Sequence, residues 1–365
     1  MEVPPVELAA VLEQLNAGRD PGRWTARQLH EPIVSATRGI WRLQGDSWSV
    51  VLKLVGPGGG GHALWQAGDD PAHWYYWRRE PAAYESGLLA SLACGLRAAE
   101  CYLVSERPDG SVALWLEDVG ASPATGWPVS SYARAAHNLG RLQGRYLGDA
   151  RLPSYDWLSR NWLKSYLAQR DDDMHLLGDE SAWRPSLVRR CLPAPLAGPL
   201  LSLRADRDVF LGALDRLPKT LSHFDFHPGN IFGDSAETIV IDWSFVGLGA
   251  IGEDAGNLVP DSVFDFHVPP EQIDDLFVSV RDGYLGGLRE GGWDGPEEAV
   301  DLGMAATAAA KYSWNAPFML RAASEGRPLL NGRPLEAAFE WWAPVIPWLL
   351  KCGERARRLA EAFTE

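Results

Sequence analysis

The spacing of apolar residues along the chain changes character near its first third. VELAAVLEQL (6–15) has apolar positions at helical spacing and predicts an N-terminal helix. Residues 32–54 then read as β-rich, IWRLQ and SWSVVLKLV showing β-formers and alternation around a Gly45-Asp46 turn signal. A Gly- and Pro-rich loop, GPGGGG (56–61), follows. REPAAYESGLLASLA (79–93) returns to helical spacing, with Tyr84, Leu88 and Leu92 on one face and Ala83 and Leu89 beside it. Two more strand-like segments, 101–106 and 111–117, flank a Pro-Asp-Gly turn.

Beyond that point the pattern is mainly helical. Ser130 or Ser131 is placed to cap a helix whose stripe is Tyr132, Ala135, Ala136, Leu139, Leu142 and Tyr146. Further helices are predicted around 157–170, 271–290, 297–312 and 335–363, and the Pro- and Ala-rich stretch 193–199 reads as a loop. One short β-rich island, 221–246, interrupts them. The expected architecture is α+β and two-lobed. A small N-terminal lobe with an antiparallel sheet and a helix (1–117) leads through a connector at 117–125 into a larger, mainly helical lobe (118–365).

Composition narrows the class. A chain of 365 residues with 46% hydrophobic and 22% charged residues can bury a sizeable core as one large or two ordinary domains. No apolar run approaches the roughly 18 residues that span a bilayer, and MEVPPVELAAVLEQL lacks the basic start and apolar stretch of a signal peptide. The expectation is a cytoplasmic protein without a membrane partner. A formal net charge of −14 argues against nucleic-acid binding, which rests on Lys and Arg neutralising phosphates, and is compatible with a cationic substrate. Cys94, Cys101, Cys191 and Cys352 form no CxxC pair and read as reduced thiols; the 17 tryptophans read first as packing residues.

The polar island carries the candidate chemistry. In LSHFDFHPGN (221–230), His223, Asp225 and His227 stand at i, i+2 and i+4, so a strand would point all three to one side. Two histidines and a carboxylate suggest a transition-metal triad. Phosphoryl transfer accounts for more residues. It needs a carboxylate to orient and deprotonate the attacking hydroxyl and oxygen ligands for Mg²⁺. Asp225 suits the first task, Asn230 and Asp242 the second, and Pro228-Gly229 supplies the turn between Asp225 and Asn230. TIVIDW (238–243) reads as a strand ending at Asp242.

The run LSHFDFHPGN…VIDW resembles the His-x-Asp-x-His-x-x-Asn signature of the aminoglycoside phosphotransferase and choline kinase-like family, with the Asp-x4-Asn spacing of the wider protein kinase-like fold. Asp-Trp-Ser (242–244) resembles the family's Asp-Trp, and GLGAIGEDAGNL (247–258) its Gly-x-x-x-Asp-Leu-Ala segment, departing at Ala255. The resemblance implies a kinase that moves the γ-phosphate of ATP or GTP to a hydroxyl of a small acceptor. An aminoglycoside or another sugar-bearing antibiotic leads, with sugar, choline-like and amino-alcohol metabolites as rivals and a silent nucleotide-binding module as the alternative. Asp225 would be the base, with Mg²⁺ on Asn230 and Asp242. His223 would brace the loop, His227 would brace it or touch phosphate, and Asp254 would anchor the segment after Asp242.

The same resemblance asks for a strand lysine on the nucleotide phosphates, met by Lys53 in VVLKLV, and for a helix carboxylate to pair with it. Glu80 is first choice and Glu85 the reserve, because Pro81 disfavours a helical Glu80. Ser35 and Thr37 in SATRG (35–39) are expected to cover the phosphates, and the backbone of Glu117 to Val119 to bond the base; GPGGGG comes after Lys53 and reads as a connector. No GxxxxGK[ST] is present. For the acceptor, the candidates are the acidic series Glu253, Asp254, Asp261, Asp265, Glu271, Asp274 and Asp275, together with Lys311, Tyr312, Trp314, Asn315, Trp341 and Trp342. A solvated acidic face explains the acidic series at least as well, and core packing is the preferred reading for the tryptophans.

Overall fold

The computed structural model describes residues 3–30, 35–58, 65–120, 126–148, 150–192, 196–233 and 237–363. Residues 59–61 of the GPGGGG loop, 121–125 of the connector and 193–195 of the Pro- and Ala-rich stretch lie outside them. The chain divides into two compact units. The first comprises 1–122 with 153–159 and 232–247, and the second 123–152, 160–231 and 248–365.

The first unit holds α1 (Pro5–Gln14), β1 (Trp24–His30), β2 (Thr37–Gly45), β3 (Ser49–Val55), α2 (Arg79–Glu85), β4 (Leu96–Ala98), β5 (Cys101–Glu106) and β6 (Val112–Glu117). β1-β2-β3-β6-β5 form one antiparallel sheet. Alternation decides its faces. Val50 and Leu52 of β3 join Leu43, Ala113, Trp115 and the α1 residues Leu8, Val11 and Leu12 in one core, so Lys53 projects from the opposite face. Glu7 on α1 is buried but satisfied, accepting from Trp115 Nε1 at 2.8 Å, Arg107 Nη2 at 2.7 Å and Ser105 Oγ at 3.0 Å.

β1 has no counterpart in the predicted elements. Its Trp24–Leu29 side chains are all exposed, so this edge strand carries no apolar alternation to read. The predicted helix 79–93 stops at Glu85, with Gly87 at φ 75° and a 3₁₀ turn at Leu89–Ser91. A left-handed glycine ends helices at little steric cost.

The second unit contains α3 (Val129–Leu147), α4 (Trp162–Ala168), α5 (Ser186–Cys191), α6 (Ala197–Ala205), α7 (Arg207–Arg216) and β7 (Lys219–Ser222). β8 (Ile231–Gly233) leads back to the first unit, where β9 (Thr238–Val240) pairs in parallel with β4. β10 (Gly247–Ala250) pairs with β7 and opens α8 (Glu253–Phe264), α9 (Ile273–Glu290), α10 (Glu297–Lys311) and α11 (Asn315–Ser324). The hairpin β11 (Leu329–Leu330) and β12 (Arg333–Pro334) precedes α12 (Leu335–Trp342) and α13 (Val345–Ala362). The predicted 335–363 helix is thus two helices, and 157–170 shrinks to α4. Pro128, not Ser130 or Ser131, occupies the N-cap of α3, the serines falling in its first turn. α5, α6 and α7 are too short for their stripes to stand out.

α3 and α9 meet backbone to backbone. Glycine recurs at every fourth position, at Gly140, Gly144 and the α3 C-cap Gly148, and at Gly283, Gly287 and the α9 C-cap Gly291. A Cβ at Gly287 would lie 2.0 Å from His137 O, at Gly140 2.2 Å from Tyr284 O, and at Gly283 2.2 Å from Ala133 O. No side chain fits in that seam. Beside it the Tyr284 hydroxyl donates to Gln143 Oε1.

Candidate active site

Lys53, Glu80 and Asp242 converge in the first unit. Lys53 Nζ lies 2.6 Å from Glu80 Oε2 and 3.0 Å from Asp242 Oδ1. Lys53 and Glu80 are 5% and 1% exposed, so each would be a costly lone charge; together they compensate. Burial alone would lower the Lys53 pKa, but Asp242 and Glu80 overcome it and hold the ammonium well above its usual range. Burial pushes the Glu80 carboxyl up, with Lys53 opposing.

Pro81 does not expel Glu80 from the helix. Both lie in the first turn of α2, where backbone N–H groups have no intrahelical acceptor to lose. Glu85 sits exposed at the other end. Arg79, 1% exposed, ties this helix start to carbonyls of His73, Trp74, Trp157 and Ser244 at 2.7–3.1 Å. Asp242 itself has φ 60°, a strained value that persists where surroundings over-determine it. Phe245, three residues on, is wedged among Trp65, Trp74 and Tyr75 at 5.1–6.3 Å between ring centroids.

Ser35 does not offer its backbone N–H to phosphate as expected, donating it to Trp65 O at 3.2 Å. It is fully buried, donating through Oγ to Trp65 O at 2.7 Å and accepting from Ala67 N at 2.6 Å. Thr37 opens β2 opposite Val55. The Glu117 carboxylate is engaged by Arg97 at 2.5 and 3.0 Å and by Glu100 N at 3.0 Å. It ends β6, and Val119 lies two residues beyond it, half-buried.

In the second unit, residues 223–227 form no strand, so the His-Asp-His alternation does not place three side chains on one face. The chain bends at Phe224, φ 65°. His223 Nδ1 accepts from Asp225 N at 3.2 Å, and His227 Nδ1 from Gly229 N at 3.2 Å. His223 therefore braces the loop, and His227 does so through Gly229 in its neutral form. Asn230 Nδ2 donates back to Asp225 O at 3.1 Å and Oδ2 at 3.0 Å. Its amide nitrogen is committed to Asp225, which turns its carbonyl oxygen away, a hard donor of the kind Mg²⁺ takes.

Burial would raise the Asp225 pKa; the positive fields of His227, Lys311 and His223 outweigh it and hold the carboxyl well below the usual range. Burial likewise lowers His227, but Asp225 Oδ2 at 3.6 Å, Asp261 and Asp265 bring it up to about 9. Accepting that second proton gives up the Gly229 bond at Nδ1.

Asp254 does more than anchor its own segment. From the first turn of α8 its carboxylate accepts from His223 N at 2.9 Å, Phe224 N at 2.7 Å and Gln143 Nε2 at 2.9 Å. It grips the loop ahead of Asp225. The expected acidic face therefore splits: Glu253 and Asp254 are interior, while Glu271, Asp274 and Asp275 are exposed. Lys311, Tyr312 and Asn315 are buried, as is Trp342. Sequence reasoning missed Asn257 and Gln143, whose only signal was a polar residue on an apolar helical face.

A buried lysine held by a helix carboxylate, and an aspartate closed onto an asparagine five residues on, are features on which kinases are built. The chain has the protein kinase-like fold. The pattern of the phosphotransferase enzyme family (APH) matches residues 40–293, and the protein belongs to that family. It is a phosphotransferase enzyme. Among solved structures it is similar to an aminoglycoside phosphotransferase from Alicyclobacillus acidocaldarius (TM-score 0.56, 14% identity, 92% of each chain). It is also similar to the amicoumacin kinase hAmiN (0.53, 14%, 87% of each chain). A choline/ethanolamine kinase family protein from Mesorhizobium loti gives 0.51 at 15% identity, over 97% of this chain and 98% of that one. A search of curated proteins found no match.

Proposed function

We propose that the protein transfers the γ-phosphate of ATP or GTP to a hydroxyl of a sugar-bearing natural product, with aminoglycoside-like antibiotics the leading acceptors and metabolite alcohols the second class. Asp225 orients the attacking hydroxyl and receives its proton. Its low pKa makes it a weak base, which suits a loose transition state in which the proton leaves late. Lys53, fixed by Glu80, grips the nucleotide phosphates. Asn230 and Asp242 would each supply an oxygen donor to Mg²⁺, which would neutralise charge on the phosphates when bound. The amicoumacin kinase structure, whose name records AMP-PNP, Ca²⁺ and Ami, supports a nucleoside triphosphate donor.

The observation that carries this reading is the Lys53–Glu80–Asp242 trio. An ion cluster that joins two buried members, Lys53 and Glu80, to the partly exposed Asp242 from three distant segments is weak evidence for stability and supports a phosphate grip. The test is a screen of hydroxylated antibiotics and common metabolites for phosphate mass gain, with ATP and GTP in parallel. Asp225→Asn should lower turnover by about 10²–10⁴-fold while nucleotide still binds. Near-normal turnover in that variant would remove the base assignment, and nucleotide affinity without any transfer would leave only a binding module.

A further inference from the structure

The loop carrying Asp225 is gripped on both sides from α8. Asp254 takes the N–H groups of His223 and Phe224 ahead of the aspartate. One turn later Asn257, 2% exposed, donates through Nδ2 to Phe226 O at 3.3 Å, directly after it. A side-chain amide can flip, and a flipped Asn257 would set its oxygen against the Phe226 carbonyl. Two donors prevent this: Lys311 Nζ and Tyr312 Oη, the latter at 2.8 Å, both bond to Asn257 Oδ1.

Lys311 is 5% exposed at the end of α10, and its ammonium is held in an unusual way. Asp261 Oδ2 is 3.5 Å away, and the rings of Trp162, Tyr166 and Tyr312 have centroids at 5.2, 5.9 and 5.2 Å. Three aromatic faces around one cation form a cage of the kind that binds ligand ammonium groups. Here the chain's own lysine fills it. Trp162 also stacks on Phe224 at 5.6 Å, so the cage wall touches the residue with the left-handed backbone.

We propose that Lys311, seated in its aromatic cage, is a positioning residue for phosphoryl transfer: it locks the Asn257 amide, which holds the Phe226 carbonyl and so fixes Asp225. The cage is consequently closed to a cationic group of the acceptor. The catalytic part of this inference rests on the phosphotransferase reading above; the structural part does not.

The test uses the full chain with Lys311→Met, Asn257→Ala and Asn257→Asp. The last keeps its pairing with Lys311 and stays folded, but sets a carboxylate against Phe226 O. Lys311→Met and Asn257→Asp should each lower kcat by up to about a hundredfold, the effect of a small misplacement of a reacting group. KM for nucleotide and acceptor should stay near wild type, since the clamp touches neither ligand and its loss is felt where Asp225 acts, in the transition state. Hydrogen exchange of amides 222–230 should accelerate, while that of 273–290 stays unchanged. An unchanged kcat and unchanged exchange in folded variants would overturn the clamp. A raised acceptor KM with intact kcat would make Lys311 an acceptor-binding residue instead, which also overturns it. If the wild type phosphorylates nothing, the functional reading fails, and the exchange comparison still decides the clamp.

Discussion

Replacing Asp254 by Asn separates two opposing effects that act on one buried carboxylate. Asp254 is 1% exposed, and burial raises its pKa to about 6, against the pull of the His223 and Phe224 amides, the Gln143 side chain and Lys311. A folded pKa above the unfolded value of about 3.9 means the folded state holds the proton more tightly. The Asp254 contribution to stability is therefore greatest below pH 4 and falls as pH rises toward 6, by about 3 kcal/mol for a two-unit shift. Asn carries no such slope. It also cannot accept at both positions, so its NH₂ must face Phe224 N–H or the His223 and Gln143 donors, leaving a buried donor unpaired at about 1–3 kcal/mol. Urea unfolding of both proteins across pH 4–7.5 should show wild type the more stable at pH 4 and the gap closing as pH rises. Turnover of the variant should stay low throughout, because the strained turn at Phe224 loses a restraint. A gap that widens with pH would refute this reasoning, since it would mean that the three hydrogen bonds outweigh the burial of charge.

Lys53→Met leaves Glu80 buried without its cation and should cost about 3–5 kcal/mol, read as a lowered thermal midpoint. Adding Glu80→Gln should restore much of it; no recovery would mean that the loss is not electrostatic. Gly287→Ala pushes a methyl to within 2.0 Å of His137 O and should destabilise by about 1–3 kcal/mol. Gly286→Ala, whose Cβ meets only His137 Cδ2 at 3.6 Å, should be neutral or stabilising in the same melt. His227, raised to about 9 by Asp225 and its acidic neighbours, contributes stability fully below about pH 6.5 and loses it as pH rises through 9. His227→Gln should flatten that decline, and an unaltered profile would assign the slope to another group.

The seam between α3 and α9 shows how legible a tertiary contact can be in principle. Glycine at every fourth position in two helices is visible in the chain, yet nothing local says that the two glycine faces meet each other. β1 was illegible for the opposite reason, since an edge strand exposed on both faces has no pattern. The end of α2 at Gly87 was hidden because Leu88 and Leu92 keep helical spacing after the helix has stopped, their burial supplied by a turn.

For the site, the sequence by itself determined the residue types and local spacings of the phosphoryl-transfer set. Asp225 and Asn230 stand within one tight turn, and Lys53 lies on the strand face turned from the core, both consequences of short-range geometry. Tertiary structure alone decided which carboxylate meets Lys53, since Glu80 and Asp242 reach it from different segments, Asp242 from 189 positions away. It also decided that Ser35 is spent on the backbone of Trp65 and Ala67, that Asp254 holds the loop before Asp225, and that Lys311 sits in an aromatic cage. Period and turn chemistry are encoded over a few residues. The compensation of a buried charge or amide depends on which distant groups the packed helices and sheet deliver to it.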